Sequence, residues 1–363
     1  YRSAGRSRGR RELSRDFVGA KPCFCGDGAG AARPRPARRF PDHTGAAVNA
    51  RPHFLELTMA LPAACPLCKA SRETQRVVTS HVYGDRAGRA FFRCDACSAI
   101  YLFPRLSPGE ERALYTAEFE SFMISRSGDA GGWAQPERHI AANQTTVARR
   151  MNYLRPVLPA KGRILEIGCS SGFMLYPLIA DGYECAGVEP SGVFGDYVRS
   201  RNVPCFESVE ALLADPGNQP GFDVVMHFFV LEHTAEAAAF LETQLKLLKP
   251  GGVLIIEIPN AADALVTVYD IPAFERFYWS VAHQWYFTET SLKFLLDRLG
   301  APYEILRDQR YDLSNHMGWA RDGKPGGMGR YTDKIGGEIE EAYKQALIKS
   351  GHCDTLVGIV RKR

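Results

Sequence analysis

The sequence has no apolar run near the ~18 consecutive residues that a membrane-spanning helix needs. A membrane is therefore not an expected partner. Arg10 and Arg11 form a pair near the start, but no apolar stretch follows them, so the start does not read as a secretory leader. Most of the chain also lacks a surplus of positive charge. Residues 1–58 hold 12 Lys/Arg against 5 Asp/Glu, while the whole chain carries +4, so residues 59–363 are net −3. Phosphate contacts need Lys and Arg, which disfavours nucleic acid as a partner. Nothing marks the ten cysteines as secreted, so disulfides are not expected and a cytoplasmic setting is.

What is present describes a globular chain. Hydrophobic residues make up 45% and charged residues 24%, enough to build a full core over 363 residues and about two domains. The first 58 residues differ. They are rich in Gly, Ala, Pro and Arg without periodicity, which reads as a disordered basic tail. The chain opens on Tyr1, whereas Met59-Ala60-Leu61-Pro62 stands directly before the first structured motif. Met59 is the expected natural start, with 1–58 as upstream sequence. A nucleic-acid-binding arm is the alternative for that tail.

The most informative stretch runs from Arg163 to Pro190. An apolar strand (Ile164, Leu165, Ile167) enters a turn of Gly168, Cys169, Ser170, Ser171 and Gly172. A helix and a second apolar strand follow, and the second strand ends in Glu189. Glycines let the backbone approach a ligand without Cβ atoms, and open α/β sheets bind ligands at the carboxyl ends of their strands. Glu189 is placed to accept hydrogen bonds from ribose hydroxyls. A dinucleotide fingerprint needs glycines at i, i+2 and i+5, but Gly168 is followed by Ser170 and Phe173 at those positions. The alternative spacing E-x-G-x-G-x-G is met by Glu166, Gly168, Ser170 and Gly172, with one Gly replaced by Ser. Further on, Phe222-Asp223-Val224-Val225-Met226 reads as a strand that leads to Val230-Leu231-Glu232-His233. A helix from about Glu236 ends at Lys249-Pro250-Gly251-Gly252, before a strand over Val253–Asn260.

These motifs, in this order over about 100 residues, resemble the class I S-adenosylmethionine (SAM) dependent methyltransferases. The resemblance implies a Rossmann-like, doubly wound α/β sheet with an antiparallel C-terminal edge hairpin. It implies SAM as cofactor, held by Glu166, Gly168, Ser170, Gly172 and Glu189, with His227 lining the pocket.

Cys65-Pro66-Leu67-Cys68 and Cys94-Asp95-Ala96-Cys97 form two C-x-x-C pairs 25 residues apart. Four thiolates suit one tetrahedral Zn²⁺ and close its shell, so the expected ion is structural. Strand-like residues at His81–Tyr83 and Ala90–Arg93 around a turn at 84–88 suggest a hairpin between the knuckles. Cys169, Cys185, Cys205 and Cys353 read as small core residues. Ser107 with Glu110 suggests a helix cap. Residues 118–135 read as a lid or linker, and 137–155 as helical.

A zinc module before such a core resembles the bacterial group that includes the deoxysugar C-methyltransferases. The resemblance covers roughly 65–300. It implies catalytic positions at His233, His283 and Tyr286. Where the sugar enzymes have Glu before the second histidine, this chain has Ala282. That departure favours transfer to oxygen over carbon. Histidine suits the base for an alcohol acceptor because its pKa lies near neutrality. The expected organisation is a tail (1–58), a zinc module (59–104), linker or lid helices (105–155) and a methyltransferase domain (156–363) with an insertion at 311–351. The dense polar groups there read either as a surface loop or as part of the acceptor pocket, where Arg310, Asn315 and His316 would suit a polyhydroxylated or phosphorylated acceptor. The expected function is methyl transfer to a small-molecule acceptor such as a sugar, nucleotide-sugar or related metabolite. A protein or nucleic-acid methyltransferase and a non-catalytic SAM-binding scaffold are the alternatives. Oligomeric state is not readable.

Overall fold

A computed structural model describes residues 61–114, 135–218 and 221–363. The sequence readings of a tail at 1–58 and of a lid or linker at 118–135 fall outside the described residues, except for residue 135. Five parallel strands form one side of a seven-stranded sheet: β4 (Arg163–Ile167), β5 (Glu184–Val188), β6 (Cys205–Phe206), β7 (Phe222–Phe228) and β8 (Leu248–Pro259). Strands β10 (Tyr303–Asp308) and β11 (Thr355–Arg361) complete it, with β11 antiparallel to both β8 and β10. The order is β10-β11-β8-β7-β4-β5-β6. This is the expected Rossmann-like mixed sheet with its antiparallel edge.

Successive side chains on a strand point to opposite faces. Ile164, Val224, Met226 and Ile255 therefore face one way, onto Leu154, Leu175, Leu178 and Val198 of flanking helices. Leu165, Ile167, Val225, Leu254 and Ile256 face the other way, onto Leu241, Leu247, Leu292 and Leu295. Both faces are buried, which explains the near-continuous apolar strand sequences. The helix before β8 ends at Leu247, earlier than its sequence suggests, because Leu248 already pairs with Phe222 of β7. Gly251 then turns the chain at φ 77°.

A second, antiparallel sheet has the order β1-β2-β3-β9, with β1 at Gln75–Thr79, β2 at Ala90–Cys94, β3 at Ile100–Phe103 and β9 at Trp285–Tyr286. The strand expected at His81–Tyr83 is displaced to β1. Tyr83 instead forms a parallel bridge with Ser280, and its N–H donates to Trp279 O. Ser107 and Glu110 form the expected capping box at the helix Pro108–Ala113. The stretch 137–155 forms two helices, Pro136–Ala142 and Gln144–Leu154. The insertion folds into helices Leu313–Asp322, Thr332–Ile335 and Gly337–Ser350. Asp312 caps the first of these at its start, and left-handed Gly323 ends it.

Candidate active site and cysteine cluster

The turn between β4 and the helix Leu175–Ala180 lies at the carboxyl end of the sheet. Gly168 has φ 74° and Gly172 φ 78°, a region that disfavours any residue with a Cβ. A Cβ on Gly168 would lie 2.6 Å from Val230 Cγ2, so the turn packs directly against the chain leaving β7. Ser170, at φ 50°, is the non-glycine in this left-handed turn. Its N–H donates to Glu189 Oε2 at 2.7 Å, and Ser191 N–H donates to Glu189 Oε1 at 2.9 Å. Glu189 at the end of β5 thus ties the two strand tips together. Burial pushes its pKa up, against the pull of the two backbone donors.

Glu166 is fully enclosed, and its Oε2 has no hydrogen-bond partner among the described residues. Burial holds its pKa well above the usual carboxylate range. Arg150 opposes that rise and the Glu189 charge adds to it. Two neighbouring buried carboxylates beside a glycine turn suit a ligand with hydroxyls to donate and a cationic end. SAM, which carries a ribose, an ammonium and a sulfonium, has that chemistry.

His227 lies on β7, paired in register with Ile167 and Ile256. Its ring packs on Phe240 at 5.5 Å, on the sheet face covered by the helix Ala237–Leu247. Burial lowers its pKa to about 3, so it is neutral. His139 is a residue that the motifs do not reveal. Its Nδ1 lies 2.8 Å from Ser171 Oγ and 3.4 Å from Ser170 Oγ, and its ring contacts Phe173 and Phe194. Burial lowers its pKa to about 4. A helix crossing the turn from earlier in the chain leaves no local sequence signal.

His233 ends the short 3₁₀ turn Leu231–His233 that follows β7. Its Nδ1 lies 2.8 Å from Ala282 O, and its ring meets that of His283 edge-on at 4.8 Å. Gln284 N–H donates to Glu232 O at 2.7 Å and Trp285 Nε1 to Thr234 O at 2.9 Å, so the two histidine-bearing loops are laced together. Tyr286 packs against His283 at 4.9 Å. Its hydroxyl donates to Tyr278 O and accepts from Ser280 N–H at 3.0 Å. Those bonds hold the Tyr286 hydroxyl against the 278–280 backbone.

Glu257 on β8 was not singled out by the motifs. It is wholly buried and accepts from Arg149 Nη2 at 2.6 Å, Arg150 Nε at 2.9 Å and the Tyr153 hydroxyl. The two guanidinium groups outweigh desolvation and hold its pKa down to about 2. The signal was available: a lone acid inside Val253-Leu254-Ile255-Ile256-Glu257-Ile258 needs a buried cation.

The four cysteines of the C-x-x-C pairs converge, with Cys65 and Cys97 Sγ 3.7 Å apart, Cys68 and Cys94 Sγ 3.5 Å apart, and all four within 4.8 Å of one another. Four thiolates at about 2.3 Å from one Zn²⁺ would stand roughly 3.8 Å apart, so the cluster fits that ion. Each pair uses the same turn. Lys69 N–H donates to Cys65 O and Ser98 N–H to Cys94 O, with φ 64° at Lys69 and 60° at Ser98. Thr74 Oγ1 and Gln75 Nε2 lie 3.8 and 3.7 Å from Cys94 Sγ. Cys169, Cys185, Cys205 and Cys353 are buried and unbridged.

A family model described as a methyltransferase domain matches residues 139–303. The ubiquinone biosynthesis O-methyltransferase of Rhizobium etli is 32% identical over 109 residues, covering 28% of this chain and 43% of the relative. That of Azorhizobium caulinodans is 30% identical over 149 residues, covering 35% and 57%. The chain thus spans about half the length of the curated relatives it matches. Among solved structures, a SAM-dependent methyltransferase from Archaeoglobus fulgidus superposes with a TM-score of 0.42 at 20% identity, over 61% of this chain and 94% of that one. One from Thermotoga maritima, described as a possible histamine N-methyltransferase, gives 0.43 at 19% identity, over 68% and 98%. Residues 139–303 thus match a methyltransferase domain, and the mixed sheet to which they contribute five parallel strands has the Rossmann-like fold of such domains.

Proposed function

We propose that the chain transfers the methyl group of SAM to a hydroxyl oxygen of a small-molecule acceptor, a sugar, nucleotide-sugar or related metabolite. The observation that carries this reading is the hydrogen bond that His233 makes to the Ala282 carbonyl. A carbonyl can only accept, so the 2.8 Å contact with Ala282 O fixes the proton on Nδ1. In its neutral form His233 would then carry its lone pair on Nε2, which is what an alcohol acceptor needs from a base. His283, edge-on to it, limits the tilt of the ring and adds a second polar contact for the acceptor. Glu166, Gly168, Ser170, Gly172 and Glu189 are the residues that would hold SAM, which supplies an electrophilic methyl carbon when bound. Most of the acceleration in such a displacement comes from holding acceptor and methyl in line. Ala282, where the sugar C-methyltransferases carry Glu, and the O-methyltransferase names of the relatives both support oxygen as the target.

In this reading Cys65, Cys68, Cys94 and Cys97 hold a structural Zn²⁺, and residues 59–104 form its module. No helix among the described residues is long and apolar enough to cross a membrane. Replacing His233 by Ala should lower kcat by about 10²–10⁴-fold, the usual worth of a general base. His283→Ala should cost less. SAM affinity, titrated by calorimetry, should stay within about threefold for both. Full turnover in both variants would refute the assignment.

A further inference from the structure

Arg310 opens the insertion after β10, and its surroundings are built in layers. The Asp354 carboxylate accepts from Arg310 N–H at 3.1 Å, Tyr311 N–H at 2.9 Å, Gln309 Nε2 at 2.9 Å and Thr355 Oγ1 at 2.6 Å. Neutral donors therefore nearly saturate Asp354 before the guanidinium is counted. Arg310 Nε reaches it only at 3.4 Å. The guanidinium lies against two rings, 4.2 Å from the Phe229 centroid and 4.9 Å from that of Tyr311. Its position and plane are fixed by stacking, with little use of its hydrogen-bonding fork. Nη1 and Nη2 make no hydrogen bond to a described residue, and 27% of the side chain is open to solvent. The neighbouring cations are engaged differently, since Arg149 pairs with Glu257 and Asp308, and Arg150 with Glu257.

Phe229 places this fork beside the reaction centre. It follows β7 directly, with φ 58°, and its N–H donates to Glu257 O at 2.8 Å. The next residue, Val230, touches Gly168 of the turn and accepts from His233 N–H at 3.0 Å. Gly168, Val230, Phe229 and Arg310 thus form a continuous run of contacts from the cofactor turn, passing His233, to a guanidinium that keeps Nη1 and Nη2 available. Three buried acids lie nearby: Asp354 is taken up by its donors, Glu257 by Arg149 and Arg150, and Asp263 is the third. Burial and the Asp354 charge raise its pKa to about 7, so it is largely neutral below that pH.

We propose that Arg310 is a specificity residue that grips an oxyanion, a carboxylate or a phosphate, on the acceptor while its hydroxyl lies near His233. A stacked, pre-oriented guanidinium with a free fork matches the bidentate geometry of such groups. This proposal rests on the methyl-transfer reading above and adds the charge of the substrate to it.

The test uses the full chain with methyl-labelled SAM and a bacterial small-molecule extract, resolved on an anion exchanger at neutral pH. Wild-type label should elute in the retained fraction. Arg310→Met should cut that label at least 30-fold with SAM affinity unchanged within about twofold, and Arg310→Lys should restore part of it. Phosphatase treatment of the retained product separates the two oxyanions, because only a phosphorylated product loses retention. Label in the unretained fraction, or label indifferent to Arg310→Met, would overturn the proposal. If SAM binds but no label appears anywhere, the transfer reading fails, and Arg310 is judged alone by calorimetry of inorganic phosphate on the SAM-loaded protein. Millimolar phosphate binding that Arg310→Met abolishes would then support the oxyanion site, and identical isotherms would sink it.

Discussion

Gly168 carries the tightest single constraint in the cofactor turn. Any side chain there would meet Val230 at 2.6 Å and be held at φ 74°. Gly168→Ala should cost about 1–3 kcal/mol of strain and weaken SAM binding at least tenfold, read by calorimetric titration. Glu257 makes a stability demand of a different kind. Removing its charge by Glu257→Gln leaves Arg150 buried without its carboxylate and Arg149 with Asp308 alone, and breaking such an arrangement costs about 3–5 kcal/mol. The pH dependence follows from its sign. The folded pKa is lowered from 4.5 to about 2, so the contribution is present above pH 4.5 and is lost as pH falls towards 2. His227 acts in the same direction, because its folded pKa is lowered from 6.5 to about 3. It contributes stability above 6.5 that is lost as pH falls towards 3. Urea midpoints measured from pH 7 to pH 3 should therefore fall steadily. In Glu257→Gln the part of that fall below pH 4.5 should be shallower. The residues of the turn were legible because a strand, a glycine turn and an acid at the next strand tip lie close together in sequence. His139 and the partners of Glu257 come from distant segments, and only the lone acid in an apolar strand announced that a partner was needed.

Among the elements, β9 links the two sheets. Ile100 pairs with Tyr286 and Tyr101 with Trp285, while Leu102 N–H donates to Gln284 O at 3.0 Å. His283 directly precedes these residues. Arg105 stacks on Trp285 at 4.4 Å and bonds to Ala235 O and Glu236, which follow His233 closely. The cysteine cluster holds the end of β2 at Cys94 and the turn at Cys97 that leads into β3, so its integrity should set the position of the histidine pair. Cys94→Ser, or chelation of the native protein, should lower turnover at least tenfold and shift the emission of Trp285. SAM affinity should change by less than about threefold. Unchanged turnover in a chelated sample shown to be metal-free would contradict this coupling. The knuckles themselves were readable, since C-x-x-C is a local turn. Strand β9 was not, because two residues have no periodicity and their partner lies about 185 positions earlier in the chain. The misplacement of β1 has the same origin: apolar residues at 81–83 were available for a strand, but Tyr83 pairs with the distant Ser280.

At the scale of the whole molecule, alternating apolar strands and helices predict a parallel sheet, and the chain forms one. The antiparallel edge was also expected, and β11 lies between β8 and β10. The insertion was harder to read. Its polar residues do not separate a loop from a helical pocket wall, and its helices depend on capping at Asp312 and contacts such as Ser314 with Glu340. The central claim is that this architecture moves a methyl group from SAM to a small molecule. The most direct measurement incubates the purified, metal-replete full chain with methyl-labelled SAM and a bacterial extract separated by size. Label should appear in the small-molecule fraction and be absent with Glu189→Ala. Label confined to the macromolecular fraction, or SAM binding with no transfer to any fraction, would contradict it.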